Sequence, residues 1–330
     1  MLRARAILHV GTHKTGTKTL QAFLLENRLA FARAGIYVPA SGRAQLGPDT
    51  LSPGHHALAW DVLHGGSGVL AEVLADIQAA RPPAAILSSE EFVHLHMQPG
   101  RAAFLRDAFG ASGYDVTIVL YVRSQAPYAE SLYAELTKSG MPPPFGVFLN
   151  TLLAQGEMRF GDRRLAFEYD RIALAFASSF GAQSVVVRPY PEGAAPRVLI
   201  DDFLRVLARL GGGLALRDLR LTLPHANERG TFAQVFERYL ESVRGESPPS
   251  LPPLAAPIAN APFAPLRRED TIALVRRFAP SNEALEAIAG ITLPGTREAD
   301  VLDAADPHWA SAAAQRALLD ELANGLRSKP

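Results

Sequence analysis

The chain of 330 residues contains no cysteine. That excludes disulfides, thiol nucleophiles and cysteine-ligated metals, and it fits a reducing compartment. Excess charge of either sign is also missing, because Lys and Arg together number 33 and so do Asp and Glu. A balanced chain argues against a bulk nucleic-acid or membrane-surface binder, while leaving room for a local basic pocket. No apolar run approaches the roughly 20 residues of a membrane span. There is no internal repeat, and MLRARA leads into an apolar segment without a signal-peptide core. The expectation is a soluble, cytoplasmic protein. With 48% hydrophobic residues, the chain has the material for one large core or two small ones.

The most informative stretch is AILHVGTHKTGTKTL, residues 6–20. A short apolar run from Ala6 to Val10 stops at Gly11, a polar Gly/Thr/Lys/His loop follows, and an amphipathic helix begins. Backbone N–H groups and the positive end of a helix make such a turn a natural seat for phosphate or sulfate. Gly11 and Gly16 have the separation of a Walker A pair, but Thr17 stands before Lys18-Thr19, so the lysine falls one position late. Neither apolar strand nearby ends in the Asp that would hold Mg²⁺. VTIVLYV ends at Arg123, and AAILSS leads into Glu90-Glu91. A nucleotide-triphosphatase or kinase reading is weakened on both counts.

Periodicity predicts a helix over 18–34 closed by Gly35, a short strand at 35–39, and a long loop over 40–56. It predicts further helices at 69–80, 126–138, 196–210, 228–243, 268–278, 281–289 and 309–326. Core strands are expected at Ala84–Ser89, Val116–Val122 and Ser184–Val187. Runs apolar on both faces suit the middle of a parallel sheet. Asn227 is expected to cap a helix, as is the start of PSNEALEA. The fold class is therefore α/β: a three-layer, P-loop-like parallel sheet flanked by helices, with a helical C-terminal region. One domain over 1–330 is expected, with the proline-rich 245–266 as a surface loop within it.

HVGTHKTGTKTLQ resembles the 5′-phosphosulfate loop of sulfotransferases that use 3′-phosphoadenosine 5′-phosphosulfate (PAPS). The Lys-x-Gly-Thr of that family is matched by Lys14-Thr15-Gly16-Thr17. The resemblance implies that Lys14 contacts the bridging and sulfuryl oxygens. It further implies that Thr15, Gly16, Thr17, Lys18 and Thr19 wrap the 5′-phosphate; Lys18 alone could equally be a solvated first-turn residue. After VTIVLYV, Arg123 is followed by seven residues and Ser131, then Tyr133, which is similar to the family's 3′-phosphate motif. Ser124-Gln125 replaces the usual Asp-Pro. A guanidinium at a strand end can grip phosphate at two points.

An acceptor hydroxyl must lose its proton as it attacks sulfur, so a base at a strand C-terminus is required. Glu90 and Glu91 stand there, and Glu90 best matches the Glu of sulfotransferases acting on heparan-type sugars. His55 and His56, at the start of a helix, are the other candidates, with His56 taken beside Glu90 and Lys14 as catalytic. His9 reads as a sheet or core residue. His94 and His96 alternate as in a strand, with no acidic partner at ligand spacing, so no metal is expected. Arg188 could serve the site or the surface. The resemblance implies PAPS as donor, PAP as product and a small-molecule or glycan acceptor. The alternatives are a P-loop kinase or a non-catalytic nucleotide-binding module.

Overall fold

The computed structural model describes residues 4–48, 50–140, 142–161, 163–210, 222, 230–244, 256–303 and 309–327. In chain order the first elements are β1 (Ala4–Gly11), α1 (Thr17–Glu26), α2 (Arg28–Arg33), β2 (Ile36–Tyr37), β3 (Gln45–Gly47), β4 (Thr50–Leu51), α3 (His56–Leu63), α4 (Gly68–Ala80) and β5 (Ala84–Ser88). A 3₁₀ helix over Glu90–Met97 leads to α5 (Pro99–Ala111), β6 (Tyr114–Val122), α6 (Gln125–Lys138), α7 (Phe145–Gln155), β7 (Glu157–Phe160), β8 (Arg163–Ala166), α8 (Tyr169–Phe180) and β9 (Val185–Pro189). The later elements among the described residues are helices: α9 (Pro196–Leu210), α10 (Phe232–Arg244), α11 (Ala256–Ala259), α12 (Arg268–Ala289), α13 (Glu298–Asp303) and α14 (Trp309–Arg327).

The chain divides into two compact units, one of Met1–Arg123, Tyr169–Asn227 and Leu285–Ile291, the other of Ser124–Glu168, Glu228–Ala284 and Thr292–Pro330. The first holds a five-stranded, all-parallel sheet in the order β2-β5-β1-β6-β9. In register, β1 sets Ile7 beside Ile86 of β5 and Thr117 of β6. Residues 6–10 are fully buried, which is why the run is apolar but for His9. Helices α1, α2 and α9 pack Phe23, Phe31, Leu199 and Phe203 onto Ile7, Ile86, Val119 and Tyr121. Helices α5 and α8 pack on β6 and on each other. The connections from β1 to β2 and from β5 to β6 run in opposite directions along the sheet; parallel crossovers are right-handed as a rule, which sets the helices of the two connections on opposite faces.

The second unit is built around α6. Tyr133 meets Phe145, Phe148 and Phe263, and Tyr128 packs on Phe167, which stacks against Phe278. Arg316 and Arg267 both pair with the buried Asp270. Among the described residues no helix is long and apolar enough to cross a membrane.

Three local expectations change. The helix over 18–34 breaks into α1 and α2 at Asn27, whose amide donates to the Phe23 and Thr222 carbonyls and accepts from the Thr222 N–H. A side chain that bonds backbone in this way competes with helix continuation. The loop over 40–56 carries the β3–β4 hairpin. The helices expected at 268–278 and 281–289 are one, α12, with Pro280 inside it. A proline removes one ladder bond, and a reciprocal amide pair between Asn282 and Gln125 holds the helix just beyond it. Asn227 and residues 245–255 of the proline-rich segment lie outside the described residues.

Candidate functional site

In an open parallel sheet, ligands gather beyond the strand C-termini where the strand order reverses. Here that point lies between β1 and β6: the chain leaving β1 goes towards β2, and the chain leaving β6 goes towards β9 on the other side. The turns that follow these two strands carry Lys14 to Thr17 and Arg123. At the other end of the strands lies an open depression lined by Arg81, Pro82, Pro83 and Tyr114.

The turn after β1 is held by the Thr12 N–H donating to the Tyr121 carbonyl at 2.9 Å. Lys14 and Gly16 both adopt left-handed backbone, φ 67° and 73°. Left-handed residues set next to ordinary ones can turn successive amides into a concavity, a recognised shape for anion binding. Gly16 needs its glycine twice over, since a Cβ there would also sit 2.5 Å from Leu199 Cδ2 and 3.0 Å from Tyr190 Cε2. Thr15 is fully buried and donates to the Thr12 carbonyl at 2.6 Å, so its hydroxyl braces the turn and what it can offer an anion is its amide. Thr17 and Thr19 are buried at the start of α1, Lys14 is half-buried and Lys18 is exposed.

Arg123 stands at the end of β6. Its Nη1 donates to the Lys14 carbonyl at 3.2 Å, which ties the two turns together. Its Nε and Nη2 donate to Glu192 Oε1 and Oε2 at 2.6 and 2.9 Å, and the guanidinium lies over the Tyr190 ring. Burial acts to lower the pKa of Arg123, but the Glu192 hydrogen bonds and charge outweigh it and leave it raised. Ser131 belongs to the second unit, on α6, and is partly buried.

After β5, Ser89 caps the 3₁₀ helix, its Oγ accepting from the Glu91 N–H at 3.2 Å. Glu90 Oε2 accepts from Gln21 Nε2 at 2.9 Å and lies 3.8 Å from His56 Nδ1. The same His56 nitrogen is 2.8 Å from Ser89 Oγ, and its ring stacks on the partly exposed Trp60. Glu90 and His56 thus form one cluster with Gln21 and Ser89. Glu91 turns elsewhere, to 3.6 Å from His94.

His55 is structural. Its Nδ1 accepts from the Ser88 N–H at 3.1 Å and its Nε2 faces the Pro39 carbonyl at 3.2 Å, an arrangement that suits only the neutral ring protonated at Nε2. Burial first, and then the charge of Arg43, hold its pKa down at about 3. His9, at 2.7 Å from Ser88 Oγ and in edge contact with Tyr121 and Phe203, is likewise depressed to about 3 by burial. Arg188 pairs with Asp202, which also accepts from Tyr121. Sequence reasoning missed Gln21, Ser89 and Glu192. Only Glu192 had an audible signal, an acidic residue in the turn after a core strand. No protein-family model matches the chain, and no curated protein matches it significantly.

Proposed function

We propose that this chain is a sulfotransferase that moves a sulfuryl group from PAPS to an acceptor hydroxyl, with carbohydrates as the acceptor class, on a P-loop-like frame. The observation that carries the reading is the direct bond between the Arg123 guanidinium and the Lys14 carbonyl across the β1–β6 switch point. It supports one anion site at the turn after β1 and a second at Arg123, the pair of charges that separates a 3′-phosphorylated adenosine from ATP. In this reading Lys14 and the amides of Thr15 to Thr19 receive the 5′-phosphosulfate, and Arg123, at the end of β6, the 3′-phosphate.

The acceptor oxygen attacks sulfur as Glu90 takes its proton. The bond between sulfur and the bridging phosphate oxygen breaks, PAP leaves, and the Lys14 ammonium offsets the charge that develops on that oxygen. Gln21 and His56 orient the Glu90 carboxylate. Glu90 is preferred over Glu91 because it shares a cluster with His56. Fixed charge and positioning are what transfer chemistry of this kind chiefly demands.

The test is thermal and chemical stabilisation by PAP against ADP. At a ligand concentration of about 100 Kd, a bound ligand adds roughly 2.7 kcal/mol. PAP alone should give it. Equal stabilisation by both ligands removes the 3′-phosphate site, and ATP hydrolysis dependent on Mg²⁺ favours the kinase reading instead.

A further inference from the structure

Glu91 and His94 lie three residues apart on the 3₁₀ helix that follows β5. A 3₁₀ helix has three residues per turn, so side chains at i and i+3 eclipse and share one face. Both residues are buried, and the carboxylate Oε2 of Glu91 is 3.6 Å from His94 Nε2. A third group comes from the turn after β1, where His13 Nε2 lies 3.5 Å from the same His94 nitrogen. The three ligand-type atoms lie within 4.8 Å of one another.

We infer that His13, Glu91 and His94 form a binding site for a transition-metal dication of the Zn²⁺ class. Zinc sits about 2.0–2.2 Å from imidazole nitrogen and carboxylate oxygen, and a tetrahedral arrangement at those lengths sets ligand atoms about 3.4 Å apart. Two of the contacts are already at that spacing. Two imidazoles with one carboxylate favour Zn²⁺, Co²⁺ or Ni²⁺ over Mg²⁺ or Ca²⁺, which prefer all-oxygen shells. A dication would also neutralise a carboxylate taken out of water. Three protein ligands leave a fourth position for water or an oxygen of a bound molecule. Because His13 precedes Lys14, the ion would also fix the turn that carries the anion site. The site does not depend on the sulfotransferase reading and can exist without it.

The test is titration of the full-length, tag-free, chelator-treated protein with Co²⁺ and, separately, Zn²⁺. One equivalent of Co²⁺ per chain should give the visible absorption of four-coordinate Co²⁺, displaced by Zn²⁺ and unaffected by excess Mg²⁺. Glu91→Gln, His94→Gln and His13→Gln should each weaken Zn²⁺ by about 100-fold or more, beyond the roughly 10–100-fold of an outer-shell partner. His96→Gln, whose Nδ1 bonds the Val93 carbonyl, serves as control and should bind as the parent does. His13 lies on a half-buried turn, so its variant keeps the test alive if a buried substitution prevents folding. Absence of stoichiometric binding, or affinity unchanged in the His13 variant, would overturn the site and leave a hydrogen-bonded His–Glu cluster. Neither result bears on whether PAP binds.

Discussion

Glu192 closes both oxygens onto the Arg123 guanidinium, at 2.6 and 2.9 Å, in the two-point geometry a phosphate would use. The carboxylate occupies the fork that the sulfotransferase reading reserves for the 3′-phosphate, so ligand and Glu192 compete. Glu192→Gln should therefore raise PAP affinity by about tenfold, or roughly 1.4 kcal/mol. The same change should lower stability by about 1–3 kcal/mol, since charged hydrogen bonds are lost. Calorimetric titration and urea unfolding read the two effects separately. Weaker PAP binding in the variant would make Glu192 a support rather than a competitor.

Glu90 is not among the residues assigned to PAP; it meets Gln21 and His56. Glu90→Gln should lower turnover by about 10²–10⁴, the usual worth of a general base, while PAP still stabilises the protein as before. Product PAP formation with a panel of hydroxyl acceptors measures the first, thermal shift the second. Undiminished turnover would move the base elsewhere.

Lys14 holds left-handed backbone without being glycine. Two variants separate its strain from its charge. Lys14→Ala keeps the strain and loses the ammonium; Lys14→Gly loses both. Lys14→Gly should be more stable than Lys14→Ala by about 1 kcal/mol, and both should bind PAP poorly. Equal stability of the two would mean that the turn relaxes when the lysine is gone.

His9 and His55 are buried with pKa values near 3. Unfolded, each would take up a proton near pH 6.5. Between those limits the unfolded chain binds more protons, so stability rises with pH there. It is complete above about pH 6.5 and is lost as pH falls towards 3, by about 1.4 kcal/mol per pH unit for each histidine. Urea midpoints from pH 7 to 4.5 should show the slope, and His55→Asn should reduce it. A flat profile across that range would mean that both rings remain accessible to protons.

The central sheet was legible because β1, β5 and β6 are apolar on both faces, a pattern that has few other uses. The turn after β1 and the arginine ending β6 were legible for the same reason, since they follow directly on those runs. α5 was not, because its PGRAAFLRDAFGA sequence buries only Ala102, Leu105 and Phe109 and carries two glycines. The HLH of residues 94–96 alternates like a strand, yet it lies on a helix of period three. That hid the pairing of His94 with Glu91, which a helical period aligns and a strand's alternation does not. The pairings of Gln21 with Glu90 and of Glu192 with Arg123 were out of reach, because each spans 69 residues of sequence, even though Glu192 itself stood out as an acidic residue in a turn.

The central position of β1 has a cost during synthesis. Its inner neighbours are β5 and β6, and the second of these ends only at Val122. At about 5–20 residues per second of translation, a largely apolar segment waits on the order of 5–20 s for its second partner. The nascent chain should therefore be a chaperone client over that interval, and truncations ending before Val122 should aggregate rather than fold.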